Sequence, residues 1–296
     1  MKLLVIFNPG AAYGRATGKL ADIRARFDSL GIRAEFLLTT KPGHGKPLVA
    51  ETSLAGYDGL IAAGGDGTVF EVLNGLYQHP RKDRIPLGLL PIGTGNAFAR
   101  DLGLPPAAWR KAIDLIHRDQ TRLVDVGHVS TSNVTYYFLN IVHMGFSVDA
   151  NRTALKLKFL GNSAYTLATL WRVLKLGSYR LEIEIDGDTI NDDNVFVAVS
   201  NTRYTGTHFM MAPNAVIDDG LLDLTLLRKL SRRRVLKLFP TIYDGRHLGF
   251  DEVTTRRASR ITIRSPEAML LAPDGEFIGH SPAEIRCLHR DLEIFV

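Results

Sequence analysis

Cysteine is almost absent from this chain, since Cys287 is the single one among 296 residues. One cysteine excludes an intramolecular disulfide and a cysteine-based zinc cluster. Long apolar runs are also lacking, because no stretch reaches the roughly 20 uninterrupted apolar residues that a membrane span needs. The first apolar run is short and stops at Asn8, Pro9 and Gly10, so it is interpreted as a core strand and not as a targeting segment. These features predict a cytoplasmic protein.

Charge of one sign is not in large excess either. Basic and acidic residues number 36 and 31, and the net charge of +5 is too mild to indicate nucleic-acid binding. His143, His208 and His280 lack the spacing of metal ligands and are interpreted as polar loop or partly buried residues. Ser147 and Ser281 have no nucleophile-elbow context, which excludes a hydrolase triad.

What residues 1–120 do contain is a regular alternation of strand and helix patterns. The run from Leu3 to Phe7 predicts a strand, and Lys19 to Leu30 predicts an amphipathic helix. Strands alternating with helices through short connections predict a parallel sheet with flanking helices. Ligands of such sheets bind beyond the carboxyl ends of the strands, where Asn8 to Gly10 and Thr39–Thr40 are expected to lie.

Two glycine-rich turns follow apolar strand patterns in this first part. The turn Gly64-Gly65-Asp66-Gly67-Thr68 lies between the strand 59–63 and a helix pattern, and Gly93-Thr94-Gly95-Asn96 follows Leu87 to Leu90. Glycines allow a sharp turn and close approach of a ligand, and free N–H groups at a helix N-terminus suit a phosphate. A single turn of this kind could equally be a tight connection that binds nothing, and the second turn favours a phosphate site.

Residues 121–296 are rich in short strand patterns and predict a β-rich antiparallel sandwich domain. The predicted strands run from Leu123 to Val129, Tyr136 to Val142, Arg180 to Ile185, Val195 to Ser200, Leu221 to Leu227, Arg260 to Arg264, Ala268 to Leu271 and Glu284 to Leu288. Asp186-Gly187-Asp188 predicts a hairpin turn, and helices are expected over Ser163 to Leu176 and Ser231 to Tyr243. The sequence leaves open whether the last strand returns to the first domain.

Four strings together resemble a known family over the whole chain. They are Asn8-Pro9 with Gly14, Gly64 to Thr68, Pro91 to Arg100 with its Gly-Thr-Gly-Asn core, and Asp274-Gly275-Glu276. They resemble the diacylglycerol kinase catalytic-domain superfamily, most closely its soluble bacterial lipid kinases, with sphingosine kinases as more distant relatives. The Gly64 to Thr68 string also occurs in NAD kinases and phosphofructokinases, whereas the Pro91 to Arg100 string is more specific to lipid kinases. Many bacterial members have Asp where this chain has Ala97, which leaves the acyl substrate open.

The resemblance implies that ATP binds with its phosphates on the Gly64 to Thr68 loop. The implied nucleotide contacts are Asn8, Pro9, Gly10, Ala11, Ala12, Thr40, Gly64, Gly65, Asp66, Gly67, Thr68, Val69, Phe70 and Thr94. The Asp66 carboxylate would repel the phosphates unless Mg²⁺ lies between them or a hydrogen-bond donor holds the carboxylate. The alternative for Asp66 is the cap of a turn.

In the second domain, the resemblance implies that Glu276 accepts the proton of the lipid hydroxyl, with Asp274 as a neighbour that could share or take that role. Without the resemblance, Asp274-Gly275 is interpreted as a hairpin turn. The resemblance also implies a Mg²⁺ site away from the chemistry, formed by the carboxylate of Asp219 and the main-chain carbonyls of Val216 and Leu221. The alternative there is an ordinary Asp-Gly turn that leads into a strand.

The implied function is transfer of the γ-phosphoryl group of ATP to a hydroxyl of a membrane lipid, diacylglycerol-like or sphingoid, at a site between the two domains. Residues 155–160 and 165–176 are apolar with interleaved Lys and Arg, so they are either core with solvated edges or an interfacial segment. The expected partners are the lipid and, transiently, the inner membrane surface, and a homodimer is left open. The rival functions are an NAD kinase and a nucleotide-binding regulatory protein without catalysis.

Overall fold

The computed structural model describes residues 1–156, 171–173, 176–206 and 208–296. The chain forms two units, one made of Met1–Val126 with His289–Val296 and the other of Gly127–Leu288. The sequence predicted the division at residue 120. The interfacial segments expected at 155–160 and 165–176 lie largely outside the described residues.

The first unit contains a sheet in which four strands are parallel in the order β2-β1-β3-β4. The strands are β1 (Lys2–Phe7), β2 (Arg33–Leu38), β3 (Gly59–Gly64) and β4 (Leu87–Pro91). The helices are α1 (Leu20–Ser29), α2 (Gly45–Glu51), α3 (Asp66–Leu76), α4 (Ala97–Asp101) and α5 (Trp109–His117). The predicted parallel sheet with flanking helices is confirmed.

Burial of the strands explains why this sheet forms. Every residue of β3 and β4 is buried, as in the uninterrupted apolar strands of a parallel sheet that is covered on both faces. The two helices α2 and α3 pack closely because Gly75 has no side chain, and a Cβ there would lie 2.6 Å from the Lys46 carbonyl oxygen. Because the strands are parallel, the residues that follow β1, β2, β3 and β4 all lie at one edge of the sheet, as predicted.

The second unit is built from antiparallel strands. Its elements are β5 (Thr121–Thr131), which begins in the first unit, β6 (Thr135–Phe138), β7 (Ile141–Gly145), α6 (Phe146–Lys156), β8 (Tyr179–Ile185), β9 (Asp188–Ser200), β10 (Tyr204–Thr205), β11 (Phe209–Met210), β12 (Leu222–Arg228), α7 (Arg232–Leu238), β13 (Val253–Ala258), β14 (Arg260–Arg264), β15 (Ala272–Pro273) and β16 (Ala283–Phe295). Strand β9 pairs with β12, β8 and β7, and β14 pairs with β8 and β16. This is the predicted β-rich antiparallel domain.

Several predicted elements differ in detail. The strand expected from Tyr136 to Val142 is two strands, β6 and β7. Residues 268–271 precede the two-residue strand β15 and do not form a strand. The α-helix expected to reach Tyr243 ends at Leu238 and continues as a 3₁₀ helix over Phe239–Asp244, because Pro240 has no N–H to donate. Strand β13 was not predicted.

The hairpin turn between β8 and β9 has the predicted chemistry. Ile185 pairs with Asp188, and the two residues between them, Asp186 and Gly187, both have positive φ (46° and 105°). Two central residues with positive φ define the tight turn that matches the twist of a hairpin. The Asp186 carboxylate also accepts hydrogen bonds from the backbone N–H groups of Ser259 and Arg260.

The end of β16 belongs to the first unit, where Ile294 pairs with Leu87 of β4 in parallel. Asp291 on this segment accepts hydrogen bonds from the Tyr77 hydroxyl (2.9 Å) and the Arg84 guanidinium (3.2 Å). These bonds join the C-terminal segment to the end of α3. Among the described residues, no helix is long and apolar enough to cross a membrane.

Candidate active site

The two glycine-rich turns of the first unit are in direct backbone contact. The carbonyl oxygen of Gly64 accepts hydrogen bonds from the N–H groups of Ile92 and Gly93 at 3.1 and 2.9 Å. A Cβ on Gly93 would lie 2.8 Å from the Gly65 nitrogen and even closer to its Cα. Only glycine therefore lets the turn after β4 pack against the turn after β3.

A second set of contacts joins the turn after β1 to the turn after β3. The Asn8 side-chain amide donates a hydrogen bond to Thr68 Oγ1 (2.9 Å), and Asn8 Oδ1 accepts one from the Gly10 N–H (2.9 Å). Thr68 is buried and packs so tightly over Gly64 that a Cβ on Gly64 would lie 2.8 Å from Thr68 Cγ2. Asn8, Gly10, Gly64 and Thr68, all predicted nucleotide contacts, are thus brought together.

Asp66 is the first residue of α3, and its carboxylate is directed at the turn after β4. It accepts a hydrogen bond from the backbone N–H of Ala97 at 2.6 Å, where α4 begins. Asn96, which precedes Ala97, is buried with φ 55°, a left-handed conformation that asparagine tolerates. Burial raises the pKa of Asp66 to about 6, against the opposing effect of the Ala97 and Asn96 N–H groups and of Arg100. Asp66 thus holds the first N–H group of α4, 31 residues away in sequence, and its carboxyl group is poorly solvated.

The N–H groups at this edge of the sheet can receive an anion. The first N–H groups of α3, at Gly67 and Thr68, have no partner within the helix, and the helix dipole favours negative charge there. Ala12 and Tyr13 both have positive φ (51° and 59°), and within the described part of the chain their N–H groups donate to no acceptor. Such arrangements of free N–H groups bind phosphate oxygens.

The other predicted nucleotide contacts fall into two groups. Pro9, Thr40 and Thr94 are partly or fully exposed at the same edge, and Thr40 Oγ1 lies 3.1 Å from His44 Nδ1. Ala11, Val69 and Phe70 are buried, so their side chains contribute to packing.

Glu71 is a residue at this edge that sequence analysis missed. Its carboxylate accepts hydrogen bonds from the N–H groups of Gly43 (2.7 Å) and Gly45 (2.6 Å), which joins the loop after β2 to α3. The partners are 26 and 28 residues away in sequence, and no local pattern signals such a pair.

In the second unit, Asp274 and Glu276 have different surroundings. The Asp274 carboxylate accepts hydrogen bonds from three successive backbone N–H groups, those of Leu139, Asn140 and Ile141, at 3.0–3.1 Å. Its own N–H donates to the Ile141 carbonyl oxygen at 2.8 Å. Glu276 is exposed, two residues further along the loop. Asp274 therefore fixes the loop, and Glu276 is presented to solvent.

A cavity of about 750 Å³ lies next to this loop. Its described lining includes apolar side chains (Met269, Leu270 and Phe277) and charged side chains of both signs (Arg152, Arg180, Asp149 and Glu267). A cavity of this size accommodates a small organic molecule. His143 is buried on β7, where it pairs with Ala272 of β15. Burial lowers its pKa to about 4, and its Nδ1 lies 2.7 Å from Ser147 Oγ.

The predicted metal residues lie on the turn before β12. Asp219 Oδ1 accepts a hydrogen bond from the Leu221 N–H (3.1 Å), and Asp219 Oδ2 accepts one from the guanidinium of Arg257. Val216 is exposed. Among the described residues, no group of three or more His, Cys, Asp or Glu side chains is placed to hold a metal.

The parallel sheet with its glycine-rich edge and the antiparallel second unit define a protein of two units with a candidate phosphate-binding edge. Two family descriptions match the chain: "Diacylglycerol kinase catalytic domain" over residues 2–129, and "YegS C-terminal NAD kinase beta sandwich-like domain" over residues 140–296. The chain belongs to the diacylglycerol kinase family of phosphotransferases.

Similar proteins have been named in several bacteria. A diacylglycerol kinase of Bacillus subtilis (strain 168) is 32% identical over 98% of this chain and 94% of its own length. A diacylglycerol kinase of Mycobacterium tuberculosis (strain CDC 1551 / Oshkosh) is 31% identical over 99% and 94%. A crystal structure from Bacillus anthracis str. Sterne superposes with a TM-score of 0.82 at 29% identity and covers 99% of this chain and 97% of its own. The predicted family and fold class are confirmed.

Proposed function

We propose that this chain transfers the γ-phosphoryl group of ATP to the hydroxyl group of a membrane lipid, diacylglycerol-like or sphingoid. The observation that carries the proposal is the interlocked edge of the first unit, where Gly64, Gly65 and Gly93 bring two turns into backbone contact. Free N–H groups beside that contact suit a polyphosphate. The names of the relatives support a lipid acceptor.

The chain's own groups account for the chemistry as follows. The acceptor oxygen forms a bond to the γ-phosphorus while the bond from that phosphorus to the β,γ-bridging oxygen breaks, and ADP leaves. Glu276 takes the proton of the hydroxyl, since it is the exposed carboxylate of its loop and Asp274 is occupied by three N–H groups. Asp274 is a positioning residue that fixes the loop carrying Glu276.

Magnesium bound to ATP would neutralise charge on the β- and γ-phosphates. The residues at the glycine-rich edge fit such an ion, because oxygen donors are what Mg²⁺ prefers and the desolvated carboxyl of Asp66 gains from a nearby cation. Asp66 would hold the ion directly or through water, while its bond to Ala97 keeps the carboxylate in place.

The acceptor is proposed to approach through the cavity next to the Asp274–Glu276 loop. Met269, Leu270 and Phe277 offer an apolar surface to a lipid, and the charged side chains of both signs in the same lining suit a polar headgroup. We propose that the protein is cytoplasmic and reaches its lipid by transient contact with the inner membrane surface.

The experiment that tests the function is a panel of acceptors incubated with ATP labelled at the γ position and Mg²⁺. Diacylglycerol, sphingosine and phosphatidylglycerol are presented in mixed micelles, and NAD is presented in solution. The proposal expects label in a lipid product that co-migrates with the phosphorylated lipid. Label in NADP would make the chain an NAD kinase, and label in neither product would favour a regulatory protein without catalysis.

A further inference from the structure

The turn before β12 holds a side chain where the resemblance implied a metal ion. The expected ligands were the Asp219 carboxylate and two main-chain carbonyls. Both oxygens of that carboxylate already accept hydrogen bonds, one from the Leu221 N–H (3.1 Å) and the other from the guanidinium of Arg257. A cation at Asp219 would have to share the carboxylate with a guanidinium, whose positive charge opposes its binding.

The position of Arg257 follows from the register of the sheet. In the antiparallel pair of β12 and β13, Arg257 lies directly opposite Asp223. Its Nε is 3.6 Å from Asp223 Oδ2, while its terminal nitrogen reaches Asp219. Because backbone hydrogen bonds fix this register, strand pairing places the Arg257 guanidinium next to both carboxylates.

The arrangement combines one largely buried carboxylate, that of Asp223, with two partly exposed groups. The side chains of Asp223, Asp219 and Arg257 are 13, 27 and 40% exposed. Two carboxylates this close repel each other unless a positive charge lies between them. An arginine supplies that charge with planar donors that match carboxylate geometry.

The described side chains around Asp219 do not form a cluster of three or more ligands for a divalent ion. In the ranges that the structure describes, no three His, Cys, Asp or Glu side chains converge on a common point. Asp223 Oδ2 is buried and accepts no hydrogen bond. The group of opposite charge next to it is the Arg257 guanidinium. The residues present therefore fit an internal cation better than Mg²⁺.

We propose that Arg257 takes the place of the divalent cation at Asp219, so that the turn from residue 216 to residue 221 is held without metal. It follows that the Mg²⁺ used by this protein is the ion that accompanies the nucleotide. The inference does not depend on which acceptor is phosphorylated.

The test measures Mn²⁺ binding by electron paramagnetic resonance on the full-length protein without nucleotide, together with melting temperatures in EDTA and in MnCl₂. Wild-type protein and Asp219→Asn are compared, so that only a site lost in Asp219→Asn is assigned to Asp219. We expect the two proteins to bind Mn²⁺ equally and the wild-type melting temperature to be the same in EDTA and MnCl₂. A tight wild-type site that Asp219→Asn abolishes would overturn the proposal.

Removing the guanidinium should expose the carboxylates. We expect Arg257→Gln to melt a few degrees below wild type in EDTA. In MnCl₂ it should recover at least half of that loss, because it binds Mn²⁺ at the exposed carboxylates. The double variant Arg257→Gln with Asp219→Asn should lack this Mn²⁺ site. Arg256→Gln is the matched control, because Arg256 is the exposed neighbour on the same strand and makes its hydrogen bond to a backbone carbonyl. An Arg257→Gln protein that melts like wild type and gains no Mn²⁺ site would contradict the proposal. If Arg257→Gln does not fold, the wild-type comparison still decides.

Discussion

The carboxylate of Asp66 accepts a hydrogen bond from the backbone N–H of Ala97 across 2.6 Å, and this bond joins two turns that are 31 residues apart in sequence. The Asp is the first residue of α3, and the Ala is the first residue of α4. The Asp66 side chain therefore adds to the backbone bonds of Gly64 that join the two glycine-rich turns, and it lies at the N-terminus of α3. Burial raises its pKa to about 6.

The pH dependence of stability follows from this pKa. The pKa of about 6 in the folded protein exceeds the ordinary aspartate pKa of 3.8, so the folded state binds the Asp66 proton more tightly than the unfolded state does. The stabilisation is complete below about pH 4 and is lost as the pH rises through 6. As the pH rises from about 4 to about 8, the free energy of unfolding of wild type should fall by up to about 3 kcal/mol relative to that of Asp66→Asn. This is the equivalent of about two pKa units.

Urea unfolding of both proteins from pH 4 to pH 8 measures this difference. Comparison with the variant removes the contributions of groups that titrate in both proteins. A difference that stays flat or grows with pH would show that the Asp66 carboxyl is not desolvated in the folded protein.

The contact between the two glycine turns gives a second prediction. In Gly93→Ala, the new methyl group would meet the Gly65 backbone at 2.8 Å or less, and the two turns would have to separate. We expect ATP affinity to fall by at least about tenfold, which is about 1.4 kcal/mol. Isothermal titration calorimetry with a non-hydrolysable ATP analogue measures this affinity.

Gly18→Ala is the control for that variant, because a Cβ at Gly18 meets no atom within 4 Å. It should bind the analogue as wild type does. Equal affinity for wild type and Gly93→Ala would mean that the turns do not need this contact for nucleotide binding.

The hydrogen bond between Asn8 and Thr68 gives a third prediction. Thr68→Val keeps the shape of the side chain but removes the acceptor of the Asn8 amide. Thr68 is buried, and Asn8 is partly exposed. An unsatisfied buried donor costs about 1–3 kcal/mol. Because Asn8 is partly exposed, chemical denaturation should show a loss near the lower end of this range, about 1 kcal/mol. A change below about 0.5 kcal/mol would show that the amide finds another partner.

Substitutions of Asp274 and Glu276 should differ in their effect on stability. Asp274→Ala leaves three backbone N–H groups without their acceptor, so we expect a loss of several kcal/mol of unfolding free energy. Glu276→Gln changes an exposed side chain and should leave the melting temperature within about 1 °C of wild type. The reverse pattern, a stable Asp274→Ala and an unstable Glu276→Gln, would exchange the roles proposed for them.

Much of the first unit could be predicted from the sequence, because its strands are short apolar runs that precede glycine-rich turns. The placement of Asn8, Gly64 and Gly93 at one edge follows from parallel pairing alone. The bonds from Asp66 to Ala97 and from Glu71 to Gly43 and Gly45 could not be predicted, since they join residues that are distant in sequence. Propensity and periodicity report only on neighbours.

In the second unit, the antiparallel class could be predicted but the boundaries could not. Turns at Leu139–Asn140 split one predicted strand, and three N–H groups near this turn are bound by Asp274, more than 130 residues away. The pairing of Arg257 with Asp219 depends on the register of β12 and β13. A strand register is set by tertiary packing, so a single sequence gives no signal for it.

The central claim is that Glu276 takes the proton of a lipid hydroxyl during transfer from ATP. The most direct measurement is the rate at which label passes from γ-labelled ATP to diacylglycerol in mixed micelles, for wild type, Glu276→Gln and Glu51→Gln. Glu51 is an exposed glutamate at the end of α2 and serves as the matched control. We predict a fall in kcat of about 10²–10⁴-fold for Glu276→Gln with an unchanged melting temperature, and wild-type rates for Glu51→Gln. Wild-type turnover by Glu276→Gln would contradict the account.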